Sequence, residues 1–150
     1  MRGEEGIPPR VERMAAPKAA GREGRKVLRI VERVLVAGPA GRVSVLAKID
    51  TGATRTSLDT DLAARLGLGP VIRTVRIRAA SAAEPETRPV VRAELVLAGV
   101  RFRVAVAVAD RKDMRYRMIV GVDVLRRSPF LIDPRDLRRR GTRARREGSR

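Results

Sequence analysis

The chain has 150 residues and a formal net charge of +17, from 34 Lys and Arg against 17 Asp and Glu, and it contains neither His nor Cys. Without those two residue types there is no disulfide framework, no cysteine nucleophile, no Ser-His-Asp triad and no zinc site of the usual Cys/His kind. No apolar run reaches the length of a membrane span, and the basic N-terminal segment lacks the apolar stretch of a secretory signal, so the expectation is a cytoplasmic protein with no membrane partner.

In chain order, residues 1–26 carry a net charge of +3 and mix Pro8, Pro9, Pro17 and several glycines with no hydrophobic period, which predicts a disordered basic tail. Residues 27–134 carry +8 and form the expected single domain, about 108 residues being enough for one core. Residues 28–36 and 43–49 are short aliphatic, β-branched runs around Gly38-Pro39-Ala40-Gly41, so they predict a hairpin. Residues 60–66 read as a short helix, with Leu62 and Leu66 one turn apart, Asp59 or Thr60 as N-cap and Gly67 to stop it. Residues 71–78 alternate as a strand, and 90–97 and 100–108 form a second hairpin about Ala98-Gly99. A last short helix over 122–127 and a strand over 130–132 complete the domain. Residues 135–150, net +6 and rich in Arg, read as a second disordered tail. Many short strands with little helix predict an all-β barrel or sandwich.

Asp50 ends one of these strands and opens the run Asp50-Thr51-Gly52-Ala53. Gly52 lets the backbone approach closely and present its N–H to the carboxylate, and Thr51 offers a hydroxyl to hold the turn. Alone, such a run is equally an ordinary strand-end turn. About seventy residues on comes Ile119-Val120-Gly121, followed by the second helix. With both motifs in this order, the sequence resembles the retropepsin-type aspartic peptidases, whose pattern is an apolar strand, Asp-Thr/Ser-Gly-Ala/Ser, a nearby hydroxyl and aliphatic residue, then two aliphatics and Gly leading into a short helix. The resemblance implies a single-lobe retropepsin-like barrel with one or two short helices, and Asp50 as its catalytic carboxylate.

A narrower resemblance rests on residues 45–53, Arg88-Pro89-Val90-Val91, the run Asp110-Arg111-Lys112-Asp113-Met114-Arg115-Tyr116, and Phe130-Leu131-Ile132-Asp133-Pro134. Together these are similar to the RimK-associated family labelled ATP-dependent zinc proteases. The chain departs from that family's pattern at two places: Arg117 stands where Pro often follows the Tyr, and Asp59 where a His is frequent after Leu58. The label itself does not fit. Carboxylates alone favour Mg²⁺ or Ca²⁺ over Zn²⁺, and no Gly-x-x-x-x-Gly-Lys-Ser/Thr loop is present to hold ATP. The expectation is an enzyme with no metal and no cofactor.

Aspartic peptidase chemistry uses two carboxylates sharing one proton, one activating water while the other protonates the scissile carbonyl. The chain has one Asp-Thr-Gly, and Asp133 is followed by Pro134, so the second carboxylate is expected from a two-fold partner. Thr51 would then hold the two turns in register across the axis, as the resemblance implies. Residues 79–87, small and polar, read as a flap carrying Ser81 and Ala82, or as a plain surface hairpin in which Glu84 and Glu86 are merely solvated. Ile119, Val120 and Gly121 are expected at the substrate cleft. Arg111 and Arg115 either bind a substrate carboxylate bidentately or pair locally with Asp110 and Asp113. With a basic core, the first choice points to an acidic or glutamate-containing peptide or protein substrate. Two other readings compete: a catalytically weak dimeric binding module of the same fold, and a basic ribosome- or nucleic-acid-associated protein. Only Phe102, Tyr116 and Phe130 are aromatic, so nucleic acid would be held through the basic tails alone. Biased Arg-rich composition explains the charge equally well.

Overall fold

The computed structural model describes residues 12–14, 25–78 and 83–135. Its elements in chain order are β1 (Glu12–Met14), β2 (Val27–Leu28), β3 (Val31–Gly38), β4 (Gly41–Ile49), β5 (Ser57–Asp59), α1 (Thr60–Arg65), β6 (Arg73–Ile77), β7 (Glu86–Leu97), β8 (Val100–Ala109), β9 (Met118–Val120), α2 (Val122–Leu125) and β10 (Leu131–Ile132).

Strands β3 and β4 form the expected hairpin, with Gly38 opposite Gly41 across a Pro39-Ala40 turn. Gly38 is required by contact: a Cβ there would lie 2.4 Å from the Leu66 carbonyl oxygen at the end of α1. The second hairpin, β7–β8, turns on Ala98 and Gly99, whose φ values of 47° and 78° are the left-handed pair that suits the twist of the flanking strands. Six strands close into a barrel: β3 pairs with β4, β4 with β9, β9 with β5, β5 with β8, β8 with β7, and β7 returns to β3. Along β8 the alternation is direct, Phe102, Val104 and Val106 pointing inward and Arg101 and Arg103 outward. Leu58, Leu95, Phe102, Met118 and Val120 fill the centre with essentially no exposure. Burial of that much aliphatic surface, at about 25 cal/mol per Å², is the main force holding the barrel shut. The chain therefore has the all-β, single-lobe barrel expected of it, with two short helices.

Three expectations change. The first predicted strand is broken: the Arg29 N–H turns to the Glu32 carboxylate at 2.7 Å, and Leu28 leaves β3 to pair, in parallel, with Ile132 of β10. Three residues of the predicted N-terminal tail, Glu12–Met14, pair antiparallel with β8, and Lys26 donates to the Ala98 carbonyl at 2.7 Å. The predicted loop over 79–87 is shorter, because Glu86 and Thr87 already pair with Ile77 and Arg76 in the β6–β7 hairpin. The rest of the N-terminal tail, the hairpin tip with Ser81 and Ala82, and nearly all of the C-terminal tail lie outside the described residues. No helix among the described residues is long and apolar enough to cross a membrane.

Candidate active site

Parallel pairing of β4 with β9 brings Asp50 and Gly121 out at the same end of the barrel, Ile49 opposite Val120. The Asp50 N–H donates to the Val120 carbonyl at 2.9 Å, so the turn begins anchored to the core. The Gly52 N–H donates to Asp50 Oδ1 at 2.9 Å, and the Ala53 N–H closes the turn on the Asp50 carbonyl at 3.2 Å. A carboxylate held by a backbone donor at fixed distance keeps its orientation without a side-chain partner. Its second oxygen faces Lys48 Nζ at 4.0 Å, a pair exposed enough to be worth under about 1 kcal/mol. Thr51 and Gly52 are exposed on the protomer surface.

Gly121 is where the returning chain crosses beneath this turn. A Cβ there would meet the Arg55 carbonyl carbon at 2.7 Å and the Ala53 and Arg55 carbonyl oxygens at 2.8 Å, so only hydrogen fits. The crossing is stitched by Val122 N–H to Ala53 O at 2.9 Å and Gly121 N–H to Thr56 Oγ1 at 3.1 Å. The fully buried Thr56 hydroxyl then donates to Asp123 Oδ1 at 2.7 Å, and its N–H donates to both oxygens of that carboxylate. Burial pushes the Asp123 carboxyl above its ordinary value, while the Thr56 and Val124 donors and the Arg55 charge pull it back. Thr56 and Asp123 were not among the residues expected from sequence. Each is an unremarked polar residue until the Gly121 crossing brings the two loops together.

Among the other expected site residues, Val120 is fully buried, so its side chain packs the core and only its carbonyl serves the turn. Ile119 is partly exposed and lies opposite both Lys48 and Ser57. Arg111 is 7% exposed, and neither of its described polar contacts is to Asp110. Its N–H donates to Asp59 Oδ1 at 2.7 Å and its Nε to the Tyr116 carbonyl at 3.0 Å, while Asp110 turns to the Lys112 N–H. Burial, then the charge of Arg88, holds the Arg111 guanidinium below its ordinary value, and Asp59 and Asp50 act the other way. Its field thus reaches the Asp50 turn. Arg115 is exposed, with its guanidinium 5.6 Å from the Tyr116 ring centre. Glu86, expected to be merely solvated, accepts from Arg88 Nε at 3.2 Å and Nη2 at 2.9 Å.

The two positions that depart from the narrower family's pattern meet in space. Asp59, 1% exposed, accepts from Arg117 Nη2 as well as from the Arg111 and Asp61 N–H groups, the last as N-cap of α1. Burial alone would raise the Asp59 carboxyl, but the Arg111 N–H and the Arg117 guanidinium outweigh it and hold it below the ordinary carboxylate range. Asp59 ends β5 and Arg117 directly precedes β9, and the pairing of β5 with β9 brings the charge and its counter-charge together.

A zinc ion finds no fitting donor set. The chain has no His or Cys, no three carboxylates gather among the described residues, and Asp50 Oδ2 has Lys48 Nζ at 4.0 Å.

The family described as "gag-polyprotein putative aspartyl protease" matches residues 38–127, a span that includes the Asp50 turn and the Gly121 crossing. The chain belongs to that family. Among solved structures, it is similar to a protein of unknown function (DUF785) from Legionella pneumophila, at 18% identity and a TM-score of 0.48, over 73% of this chain and 93% of that one. It is also similar to EIAV protease complexed with an inhibitor, at 19% identity and a TM-score of 0.47, over 72% of this chain and 91% of that one. The retroviral protease-like domain of Ddi1 from Leishmania major matches at 23% identity and a TM-score of 0.41, over 65% and 76%. No curated protein sequence matches the chain.

Proposed function

We propose that this chain is one protomer of a two-fold dimeric aspartic peptidase, in which Asp50 from each protomer forms the catalytic pair. The observation that carries the reading is the Asp50 turn itself: a partly exposed carboxylate at a strand end, oriented by the Gly52 N–H and seated on the Val120 carbonyl. A single such turn holds one carboxylate, and water activation with carbonyl protonation needs two. Placed about 3 Å apart across an axis, two carboxylates cannot both carry charge easily, so they hold one proton between them. The unprotonated one takes a proton from the attacking water as the protonated one gives its own to the carbonyl oxygen. The resulting gem-diol collapses with proton transfer to the leaving amine.

Dimerisation has a second support. Strands β2 and β10 form a separate two-stranded sheet, and Val27 and Leu131, paired within it, are 55% and 39% exposed. Open edges with exposed aliphatic side chains favour pairing with another chain. Thr51, exposed beside Asp50, would meet its own copy across the axis. An acidic or glutamate-containing substrate fits the basic surroundings of the turn, Lys48 at 4.0 Å and the field of Arg111. The likeness of the 110–116 run to the RimK-associated family belongs with the same reading.

The test is cleavage. Purified chain, incubated with Glu-containing and neutral peptides, is expected to release defined fragments, and D50N is expected to lose that release while keeping its dimeric sedimentation. Equal cleavage by both proteins would refute the role of Asp50.

A further inference from the structure

Sequence alone offers nucleic acid only the basic tails, but the strand register assembles a basic face on the barrel itself. Residues directly opposite each other in paired strands project to the same side of a sheet. Where β4, β3, β7 and β8 lie side by side, Val34, Val36, Val45, Leu95, Leu97 and Phe102 turn into the core. The residues between them point outward and fall in register. Arg42, Ala37, Glu94 and Arg103 form one row across the four strands, and Ser44, Leu35, Val96 and Arg101 form the next. Arg33, opposite Leu46, and Arg92, opposite Ala105, extend the face at its two ends. All five arginines are exposed.

The charge on this face is one-sided. Residues 27–134 hold nineteen basic and eleven acidic side chains, and the face takes five of the first but one of the second. An Arg-rich composition by itself would place acids here as it does in the rest of the domain, where fourteen basic side chains stand with ten acidic ones. The one acid, Glu94, faces Arg101 at 3.7 Å in an exposed pair. Arg33 donates to the Ser44 hydroxyl at 3.3 Å, a neutral partner. Arg42, Arg92 and Arg103 make no ion pair among the described residues. At the sheet edge β1 sets Glu12 opposite Arg103, and with that residue counted the balance is still five cations to two anions.

The chemistry of the face fits phosphates. Its five cations are all guanidinium groups, whose planar forks take phosphate oxygens in pairs. Arg101 and Arg103 repeat along one strand at about 7 Å, so neighbouring side chains can meet neighbouring charges of a linear polyanion. Leu46 is the one large apolar side chain exposed on the face, and no aromatic residue lies on it. A protein partner is gripped by buried aromatic and aliphatic anchors, and single-stranded bases by stacking on aromatic rings; this face provides neither. It provides neutralisation of a phosphate backbone, which carries no sequence preference. Arg42 stands about 26 Å along β4 from Asp50, which leaves the turn open while the face is occupied.

We propose that the outer face of β3, β4, β7 and β8 binds the phosphate backbone of a nucleic acid, without regard to base sequence. The proposal is independent of the peptidase reading, so binding should be the same in D50N.

The full chain is titrated by fluorescence anisotropy onto a labelled oligouridylate over a series of salt concentrations. It is compared with R33Q/R42Q/R92Q/R103Q on the face and R138Q/R139Q/R145Q/R146Q in the C-terminal tail, each checked for folding by circular dichroism melting. Each arginine that neutralises a phosphate of a single strand contributes about 0.7 to the slope of log affinity against log salt, so the face variant should lose about 3 from that slope and bind roughly tenfold or more weakly at low salt. The tail variant should keep the share that the face supplies. Should the fourfold face variant melt early, R33Q/R42Q and R92Q/R103Q replace it, each expected to remove about half of that slope change. No binding by the unaltered chain, or an affinity and slope that the face variants leave intact, overturns the proposal. An oligoglutamate of equal charge that displaces the RNA as well as RNA does, and loses as much in the face variant, assigns the face to an acidic polypeptide and overturns the nucleic-acid assignment.

Discussion

Replacing Gly121 by Ala tests how the site is built. Its φ of −93° suits any residue, so the cost is steric alone. The added methyl would sit 2.7 Å from the Arg55 carbonyl carbon and 2.8 Å from two carbonyl oxygens, all backbone atoms that cannot swing aside. Residues 53–56 must lift away from β9, weakening the Val122-to-Ala53 and Gly121-to-Thr56 hydrogen bonds. Two bonds at about 1 kcal/mol each, with about 1–3 kcal/mol of overpacking, give about 3–5 kcal/mol. In a domain of this size that lowers Tm by roughly 12 °C or more. Thermal and urea unfolding followed by circular dichroism measures it. Gly52→Ala is the comparison, since its methyl would meet only Asp50 Oδ1, at 3.3 Å. There stability should change by less than about 1 kcal/mol, while cleavage falls because the carboxylate is displaced. The reasoning is refuted if G121A melts with the unaltered chain, or if G52A is as damaging to stability as G121A.

Asp59→Ala removes a buried acceptor shared by three donors and should cost about 2–4 kcal/mol; in a double-mutant cycle with R117A the two should couple by about 1 kcal/mol or more, read from urea midpoints. Because the folded Asp59 carboxyl lies below its ordinary value, its contribution is present above about pH 4 and is lost as pH falls through the folded value, so D59N should flatten the acid limb of the stability profile. Asp123 has the opposite sign: its folded value is raised, so ionising it costs stability as pH rises through and above the ordinary carboxylate range, and D123N should gain on the unaltered chain over that interval in pH-dependent melting. Leu131→Asp places a charge on the exposed β2–β10 sheet and should shift sedimentation toward monomer, with cleavage becoming dependent on protein concentration.

Much of the barrel was legible because it is written locally. The runs on either side of Gly38-Pro39-Ala40-Gly41 and of Ala98-Gly99 are antiparallel hairpins, where alternation and turn chemistry sit within a few residues. Strands β5 and β9 were not legible as strands. Each has three residues, too few to alternate, and each is held by pairing with distant strands, β5 in parallel with β8, β9 in parallel with β4, and the two antiparallel to each other. The split of Leu28 from β3 has the same cause, since its partner Ile132 lies at the far end of the domain. The Asp50 turn could be read because its side chain, Gly52 donor and strand are contiguous. Arg55, Thr56 and Asp123 could not, since what joins them is the passage of Gly121 under residues 53–56, a contact between segments far apart in sequence. The Asp59–Arg117 pair was hidden for the same reason, since only the pairing of β5 with β9 brings two residues so far apart in sequence together.

The central claim is that one active site needs Asp50 from two chains, and mixed dimers test it most directly. Unaltered chain and D50N are combined over a range of ratios at fixed total concentration, exchanged to equilibrium, and assayed for cleavage of one Glu-containing peptide. If both carboxylates are required, only dimers with two intact chains cut, and activity falls as the square of the unaltered fraction. A fall in simple proportion to that fraction would mean that each chain carries its own complete site, and would contradict the account.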